Sequence, residues 1–579
     1  MLTQENLISK ARAIDGRGYP NYKNLKGSYD FDGFILEITH VQSDPFASPS
    51  SITIEVPHPG FLKKDYEHKY EQTALEDFLI REFRRVLKEN ENKKSGSGKS
   101  GKISVSHPGQ EILERSACHI NPKNGSLTFR FHAGFPAAGR KILGREFLNM
   151  IQKSIVPTVR QALFYDSWSQ KTKEQLETRM NLVRDQDYIR KELENRGLSA
   201  FIADGAILPR ASGISSRPME GALPFVSPDS LQVTMDLPYG GKITGMGVPN
   251  GITLIVGGGY HGKTTLLEAI ESGVYPHIEK DGREYVITRE DGFKIRAEDG
   301  RGIHHDDISM FIQDLPFGKS TSDFVSEDAS GSTSQAANVA EALEAGSRLL
   351  LMDEDTSATN FMIRDQMMAD VVETSSEPII PFVSRIRDLK DQQNVSVILA
   401  AGSSGAYFDK ADTIIQMDQY VPVDITALAR EKIKKYPKPE EDYPPYTPGV
   451  PRFLKGAPAA SAEKVKVKSN GLDTVTIARE PIDVRYLEQL KDPEQLKALG
   501  QLGLYAVRNL DDQGLTLSEV LDQIDQGLDE NTLAFYGKGD LARPRRYELA
   551  GLLNRWRSAR FEQKRNEGLQ PEITIDVDA

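Results

Sequence analysis

One stretch, Gly257-Gly258-Gly259-Tyr260-His261-Gly262-Lys263-Thr264-Thr265, constrains this chain more than any other. It follows the apolar run Ile252-Thr253-Leu254-Ile255-Val256 and precedes the helix-forming segment Leu266-Leu267-Glu268-Ala269-Ile270. Strand, glycine-rich turn and helix in that order satisfy G-x-x-x-x-G-K-[ST] in the setting that gives the pattern its meaning. Glycines let backbone N–H groups close around phosphate oxygens. The new helix turns its positive end toward the same anion. In this reading residues 257–265 cradle the phosphates of ATP, Lys263 reaches the β- and γ-phosphates, and the Thr264 hydroxyl holds Mg²⁺. Such a turn belongs to an α/β fold with a parallel sheet.

A second stretch, Lys93-Lys94-Ser95-Gly96-Ser97-Gly98-Lys99-Ser100, imitates the end of that pattern. Lys93 stands where the first glycine should be, and the preceding run, Lys88-Glu89-Asn90-Glu91-Asn92, is no strand. A flexible basic loop is expected there.

At 579 residues the chain has room for about three to four domains. No apolar run approaches the roughly 20 residues that span a bilayer. The first residues show no basic region followed by an apolar one, so no secretory signal is expected. The single cysteine, Cys118, excludes an intramolecular disulfide and suits a reducing, cytoplasmic setting. A net charge of −12 argues against a surface that binds nucleic acid everywhere. Two basic islands stand out from it. Residues 81–102 hold eight Lys/Arg against three Glu, and residues 538–565 hold nine against three acids. They fit either a phosphate-backbone partner or solvated helix faces.

Three domains are expected: an α+β N-terminal domain over 1–165, a nucleotide-binding core over 166–445, and a linker with a small, mostly helical α+β C-terminal domain over 446–579. Strands are expected near Phe34–Ile38 and Leu127–Phe131, and a helix over about 74–90. A long helix over about 170–196 should stop at Gly197. The prolines between Lys435 and Pro451 suggest a stiff linker.

A second apolar strand, Leu349-Leu350-Leu351-Met352, ends in Asp353-Glu354. A carboxylate at such a strand end lies beside the P-loop, so Asp353 is the expected Mg²⁺ ligand and Glu354 the base that polarises water. Between the motifs, Ser330-Gly331-Ser332-Thr333-Ser334-Gln335 opens a helix leading to the second strand. Upstream, Met310-Phe311-Ile312-Gln313-Asp314 ends an apolar run in glutamine. Downstream, Asp353-Glu354 continues into Asp355-Thr356-Ser357-Ala358.

These segments together resemble the predicted ATPases of the ABC class, a non-transporter family. Leu208-Pro209-Arg210, Gly245-Met246-Gly247, Gly282-Arg283-Glu284, Asp15-Gly16-Arg17-Gly18-Tyr19, Asp44-Pro45-Phe46 and Arg543-Pro544-Arg545-Arg546 also fit, so the likeness covers nearly the whole chain. The resemblance implies an ABC-type P-loop core between two accessory domains, a homodimer and, in one branch, association with RNA. It implies that Ser330, Gly331, Ser332 and Gln335 act on the nucleotide held by the partner subunit. It also implies that Gln313 joins catalysis and metal binding. Two departures stand out. The signature reads Ser-Gly-Ser-Thr-Ser-Gln, and the His usual after the last core strand is replaced by Gly402 or Ser403. His261 could partly substitute for it, although a backbone-spacing role is the one expected; His304 and His305 are weaker candidates, and Tyr239 is a candidate to stack on adenine.

One core per chain implies association in trans. The first functional reading is an ATP-driven clamp on nucleic acid, RNA above all, with Arg543, Arg545 and Arg546 as its contacts and Trp556 as a stacking face. The alternative is a nucleotide-dependent protein-interaction switch without nucleic acid. A transporter subunit fits poorly, since no membrane span accompanies the core.

Overall fold

A computed structural model of the chain describes residues 2–90, 96–315, 318–364, 377–402, 405–436, 443–510, 513–537 and 540–563. Its centre is a six-stranded sheet. The strands run in the order Gly292–Ile295, Leu349–Asp353, Ser396–Ala401, Ile252–Val256, Thr413–Asp418, Val421–Asp424. The first five are parallel and the last pairs antiparallel as a hairpin. Parallel strands are covered on both faces, which is why these read as unbroken apolar runs. Leu254, Ile255, Leu350, Leu351, Ile398 and Leu399 are all buried.

A second, antiparallel sheet lies beside the first, in the order Gln232–Leu237, Gly241–Pro249, Leu198–Ala203, Val286–Thr288. Residues 198–250, rich in Gly, Pro and Ser, hold five strands: three belong to this sheet, and Arg210–Ser212 pairs with Ser215–Pro218 as a hairpin. The glycines serve the turn at Gly240-Gly241 and close packing: a Cβ at Gly245 would fall 2.3 Å from the Ile202 carbonyl oxygen.

The N-terminal domain folds on a seven-stranded sheet that includes Ile35–His40, Ser50–Val56 and Leu127–Ala133. Alternation buries Leu127, Phe129, Phe131 and Ala133. Helix Lys69–Asn90 lies across this face, with Phe83 4.4 Å from Phe129 between ring centroids. The basic segment that imitates a P-loop is built, contrary to expectation, from Gly96 onward. Lys99 N–H donates to Pro45 O at 2.8 Å, and Ser100 Oγ donates to Ser97 O at 2.5 Å. Residues 91–95 of that segment lie outside the described residues.

The long helix is Gln170–Asn195, capped by the Ser169 hydroxyl and ended by Gly197 at φ 65°. It rivets domain to core. Arg179 meets Asp77 of the N-terminal helix at 2.9 Å, and Gln186 donates to His277 O and Glu284 O, both at 2.8 Å.

Past the proline-rich segment, Arg452–Leu454 pairs with Phe561–Gln563. The part of that segment that is described does not stand free: Tyr446 is buried against the core. The C-terminal domain has a three-stranded sheet, Val467–Asn470, Thr474–Ile477, Glu480–Asp483. Helices Pro493–Asn509, Leu517–Glu530 and Arg546–Arg555 pack with it. Its apolar interior is continuous with one face of the central sheet. Gln489 stitches the joint, accepting from Lys294 N–H at 3.0 Å and donating to Glu271 O and Gly292 O at 3.1 Å. Among the described residues no helix is long and apolar enough to cross a membrane.

Candidate functional site

The P-loop leaves strand Ile252–Val256 and enters helix Lys263–Ser272. Three of its residues are left-handed: Gly257 at φ 143°, Tyr260 at 64° and Gly262 at 95°. A side chain at Gly257 is also barred by space, because a Cβ there would lie 2.5 Å from Met417 O. The ammonium of Lys263 donates back to Gly257 O at 2.7 Å and Gly258 O at 3.1 Å, so it spans the mouth of the loop. A phosphate entering that mouth gains a charged donor already in place. Thr264 Oγ1 donates to Asp353 Oδ2 at 3.3 Å. A hydroxyl and a carboxylate meeting at a helix start offer the hard oxygen donors that Mg²⁺ takes. Thr265 sits half-buried on the next position of the helix.

Asp353 is buried at the end of its strand, and its second oxygen accepts from Asp355 N–H at 3.0 Å. Glu354 turns the other way. Its Oε2 accepts from Gly402 N–H at 2.6 Å, at the end of the neighbouring strand. A Cβ built on Gly402 would lie 3.7 Å from Lys263 Nζ and 3.9 Å from Glu354 Oε2. Glu354, Lys263 and Gly402 therefore converge. Tyr407, buried nearby, is held neutral: burial raises its pKa and the charge of Glu354 raises it further.

The signature segment is brought close to this group only in part. Ser330 is exposed as the N-cap of helix Gly331–Glu344, its hydroxyl 3.0 Å from that of Thr333. Gly331 follows at the helix start, and Ser332 is buried with its hydroxyl 3.4 Å from Ser330 Oγ. Gln335, expected at a nucleotide, is fully buried instead. One turn past Gly331, it points inward. Its amide donates to Ser357 Oγ at 2.9 Å and accepts from Ala358 N–H at 2.8 Å, while Ser357 Oγ donates to Asp353 O at 2.8 Å. The glutamine thus ties helix Gly331–Glu344 to the end of strand Leu349–Asp353.

Gln313 is not brought to the expected metal position. Its side chain donates to Ser309 O at 3.0 Å and its backbone to Pro378 O at 2.8 Å. Among the described residues no hydrogen bond joins it to Thr264 or Asp353.

The three candidate histidines are engaged or buried elsewhere. His261 takes a structural part: its Nδ1 faces Gln419 N–H at 3.1 Å, and its carbonyl accepts from Tyr420 N–H at 3.2 Å. His304 is buried, and burial pushes its pKa down to about 4. His305 pairs with Asp323 at 2.8 Å. Tyr239 lies under the guanidinium of Arg184, 5.5 Å from ring centroid to Cζ, and its backbone N–H donates to Asp185 at 2.9 Å. It is engaged with the long helix rather than offered to a base.

The C-terminal basic island is corrected as well. Arg543 pairs with Asp529 at 2.6 Å and Glu114 at 3.4 Å. Arg545 pairs with Glu548 at 2.6 Å and donates to Gly292 O at 2.8 Å. Arg546 pairs with Asp522 at 2.6 Å. Arg555 reaches Glu298, and Trp556 is fully buried with its indole N–H donated to Glu480 at 3.0 Å. Arg543, Arg545 and Arg555 each reach another domain, through Glu114, Gly292 O and Glu298, while Arg546 is held within the C-terminal domain. Composition showed their clustering but not the partners that lie outside the island.

Comparison with known proteins gives three adjoining matches. Residues 172–449 match the ABC_ATPase P-loop domain, residues 4–166 the N-terminal domain of ATPases of the ABC class, and residues 466–562 the MRB1590 C-terminal domain. An uncharacterized protein of Methanocaldococcus jannaschii, MJ1628, is 36% identical over 190 residues. That match takes in 31% of this chain and 42% of the relative's length. Among solved structures, cbiO1 from Clostridium perfringens, part of the ABC transporter complex cbiONQ, aligns at 12% identity with a TM-score of 0.24. It covers 41% of this chain and 94% of its own. The ADP conformation of MJ1267, an ATP-binding cassette of an ABC transporter, aligns at 11% identity and TM-score 0.22 over 34% of this chain and 88% of its own.

Proposed function

Since the chain belongs to the ATPases of the ABC class, with that class's N-terminal domain before its P-loop core, we propose that two copies close on ATP as a clamp for single-stranded RNA. In each copy the residues of one P-loop bind the phosphates, with Lys263 as counter-ion. Thr264 and Asp353 would hold Mg²⁺, which supplies charge neutralisation between the phosphates. Glu354 takes a proton from the attacking water. Ser330, exposed at a helix N-terminus, is the signature group presented to the nucleotide of the partner subunit.

The RNA half of this reading moves from the C-terminal island to the N-terminal domain. Arg17, Lys99, Arg140 and Lys141 are exposed on loops that touch one another. Tyr19 N–H donates to Arg140 O at 2.9 Å, Gly18 bridges Lys141, Gly139 N–H donates to Ser97 Oγ at 2.9 Å, and Lys99 N–H to Pro45 O at 2.8 Å. Phe46 stands beside them, 67% exposed. The adjacent acids are turned to the backbone: Asp15 accepts from Gly144 N–H and Asp44 from Phe46 N–H. Among the described residues none of the four cations has an ion-pair partner. Cations without partners around an exposed aromatic ring are what a phosphate backbone and a stacking base need.

The test is filter binding of single-stranded RNA at several salt concentrations, with and without ATP. Changing Arg17, Lys99, Arg140 and Lys141 together to Glu should weaken binding of all sequences alike. The salt slope should fall by about 0.7 per lost contact, and ATP turnover without RNA should persist. Retention of wild-type RNA affinity would remove this patch. Absence of RNA binding by the wild-type protein would favour the protein-interaction switch.

A further inference from the structure

The three domains meet around a cavity of about 620 Å³. Helix Lys69–Asn90 lines it with Tyr70 and Thr73, helix Gln170–Asn195 with Gln186 and Arg190, and the C-terminal domain with Arg546 and Tyr547. Val274 and Tyr275 of the core also line it. They follow the far end of helix Lys263–Ser272, which begins at the P-loop. Glu290, on the same wall, precedes strand Gly292–Ile295 at its amino end. The cavity thus lies toward the amino ends of the parallel strands, away from the nucleotide site beyond their carboxyl ends. Small-molecule pockets of about 300–1,000 Å³ concentrate at such junctions between domains.

One cation of the wall is poorly matched. Lys69, Asp187, Arg543, Arg545 and Arg546 each have an opposite charge within 2.9 Å. Arg190 has a side chain only 15% exposed, and it donates to two neutral carbonyls, Thr288 O and Gly273 O. Glu290 stands 3.6 Å from its Nε and is 77% exposed. Burial pushes the Arg190 pKa down, so the fold holds this charge against its desolvation. An anion in the cavity would complete the pairing with a charge-assisted hydrogen bond. Gln186 is 2% exposed and donates its amide to His277 O and Glu284 O. Its Oε1 has no hydrogen-bond partner among the described residues, and neither has Arg546 Nε. Buried polar atoms are paired as a rule, so this acceptor and this donor fit groups of a ligand. Tyr70, Tyr275 and Tyr547 stand in the same wall.

We propose that this cavity binds a nucleoside monophosphate, with its phosphate on Arg190, an N–H of its base on Gln186 Oε1 and its planar ring among the tyrosines. A single anionic group answers the single poorly matched cation. Glu114, Asp525 and Asp529 line the same cavity and oppose further negative charge, so a triphosphate fits it badly. The site is separate from the P-loop and does not depend on the ATP or RNA readings above.

The experiment titrates the full chain by calorimetry with the four common nucleoside 5′-monophosphates. Ribose 5-phosphate, which lacks the base, and the free nucleosides, which lack the anion, are the controls. Arg190→Gln keeps a donor for Thr288 O and removes the charge. Thr73→Trp fills the cavity from a half-buried helix position and leaves the polar groups in place, so it carries the test if Arg190→Gln does not fold. At least one monophosphate should bind, and more tightly than ribose 5-phosphate or its own nucleoside. Arg190→Gln should weaken that binding by roughly tenfold or more, Thr73→Trp should abolish it, and Lys263→Ala should leave it unchanged. No binding of any monophosphate at millimolar concentration would overturn the proposal. So would wild-type affinity in folded Thr73→Trp, or ribose 5-phosphate binding as tightly as the whole nucleotide. Loss of binding in Lys263→Ala would overturn it as well, because the monophosphate would then sit in the P-loop.

Discussion

Lys263 and Glu354 divide the work at the scale of single residues. Lys263 is bonded to carbonyls of its own loop and carries charge into the mouth that phosphates must enter. Lys263→Ala should therefore lose tight ATP binding. Glu354 has one oxygen on Gly402 N–H, the residue beside which it and Lys263 converge. Glu354→Gln keeps an acceptor for that N–H and loses the carboxylate that draws a proton from water. ATP affinity by calorimetry should stay within about twofold, while single-turnover hydrolysis falls by roughly a hundredfold or more. Turnover within about twofold of wild type would reject Glu354 as the base. Both residues stand out in the sequence because each belongs to a short run whose neighbours are sequential. For His261 a backbone-spacing role was expected, but its partners, Asp418 to Tyr420, lie more than 150 residues away, and nothing local announces them. The arginines of 543–546 misled for the same reason. Clustering of charge is visible in sequence, whereas Glu114, Asp522 and Asp529 meet them only after folding.

Among elements, the strands that carry the P-loop and Asp353 were readable from apolar runs, and the long helix from its glycine stop. The antiparallel sheet of residues 198–288 was hidden, since its glycines at turns and close approaches break the alternation that marks a strand. A glutamine, likewise, does not show which way it points. Gln335 was read as a nucleotide contact but joins helix Gly331–Glu344 to the segment after Asp353, through Ser357 and Ala358. On the proposed reading, any shift of that helix on meeting a partner's nucleotide would reach the strand that ends in Asp353. Gln335→Leu should break this link and leave Ala358 N–H unpaired, a loss of about 1–3 kcal/mol in stability. The P-loop is untouched, so the KM for ATP should hold within about twofold while kcat falls about tenfold. Unchanged kcat in steady-state assays would show that the link transmits nothing.

For the whole molecule, buried polar joints leave little freedom between domains. Arg115 of the N-terminal domain, fully buried, pairs with Asp492 and Glu494 of the C-terminal domain, each at 2.6 Å. Arg555 and Arg301 converge on Glu298, Asn338 and Glu341 behind the signature helix. Removing one partner of such a group leaves a buried charge uncompensated, so these contacts make the chain one body on either side of the nucleotide. On the proposed reading, the motion that ATP drives is then between copies of the chain. That requirement has a direct test. Ser330 is exposed, so Ser330→Arg obstructs closure on a partner without disturbing the P-loop of its own chain. Alone it should bind ATP and fail to hydrolyse it, while Lys263→Ala alone should do neither. In a mixed dimer the intact P-loop of the Ser330→Arg chain faces the intact signature of the Lys263→Ala chain. Random mixing at equal amounts should therefore restore about a quarter of wild-type turnover, from half of the dimers with half of their sites. A mixture as inactive as its parents, with mixed dimers verified by differential tagging, would reject independent sites built in trans.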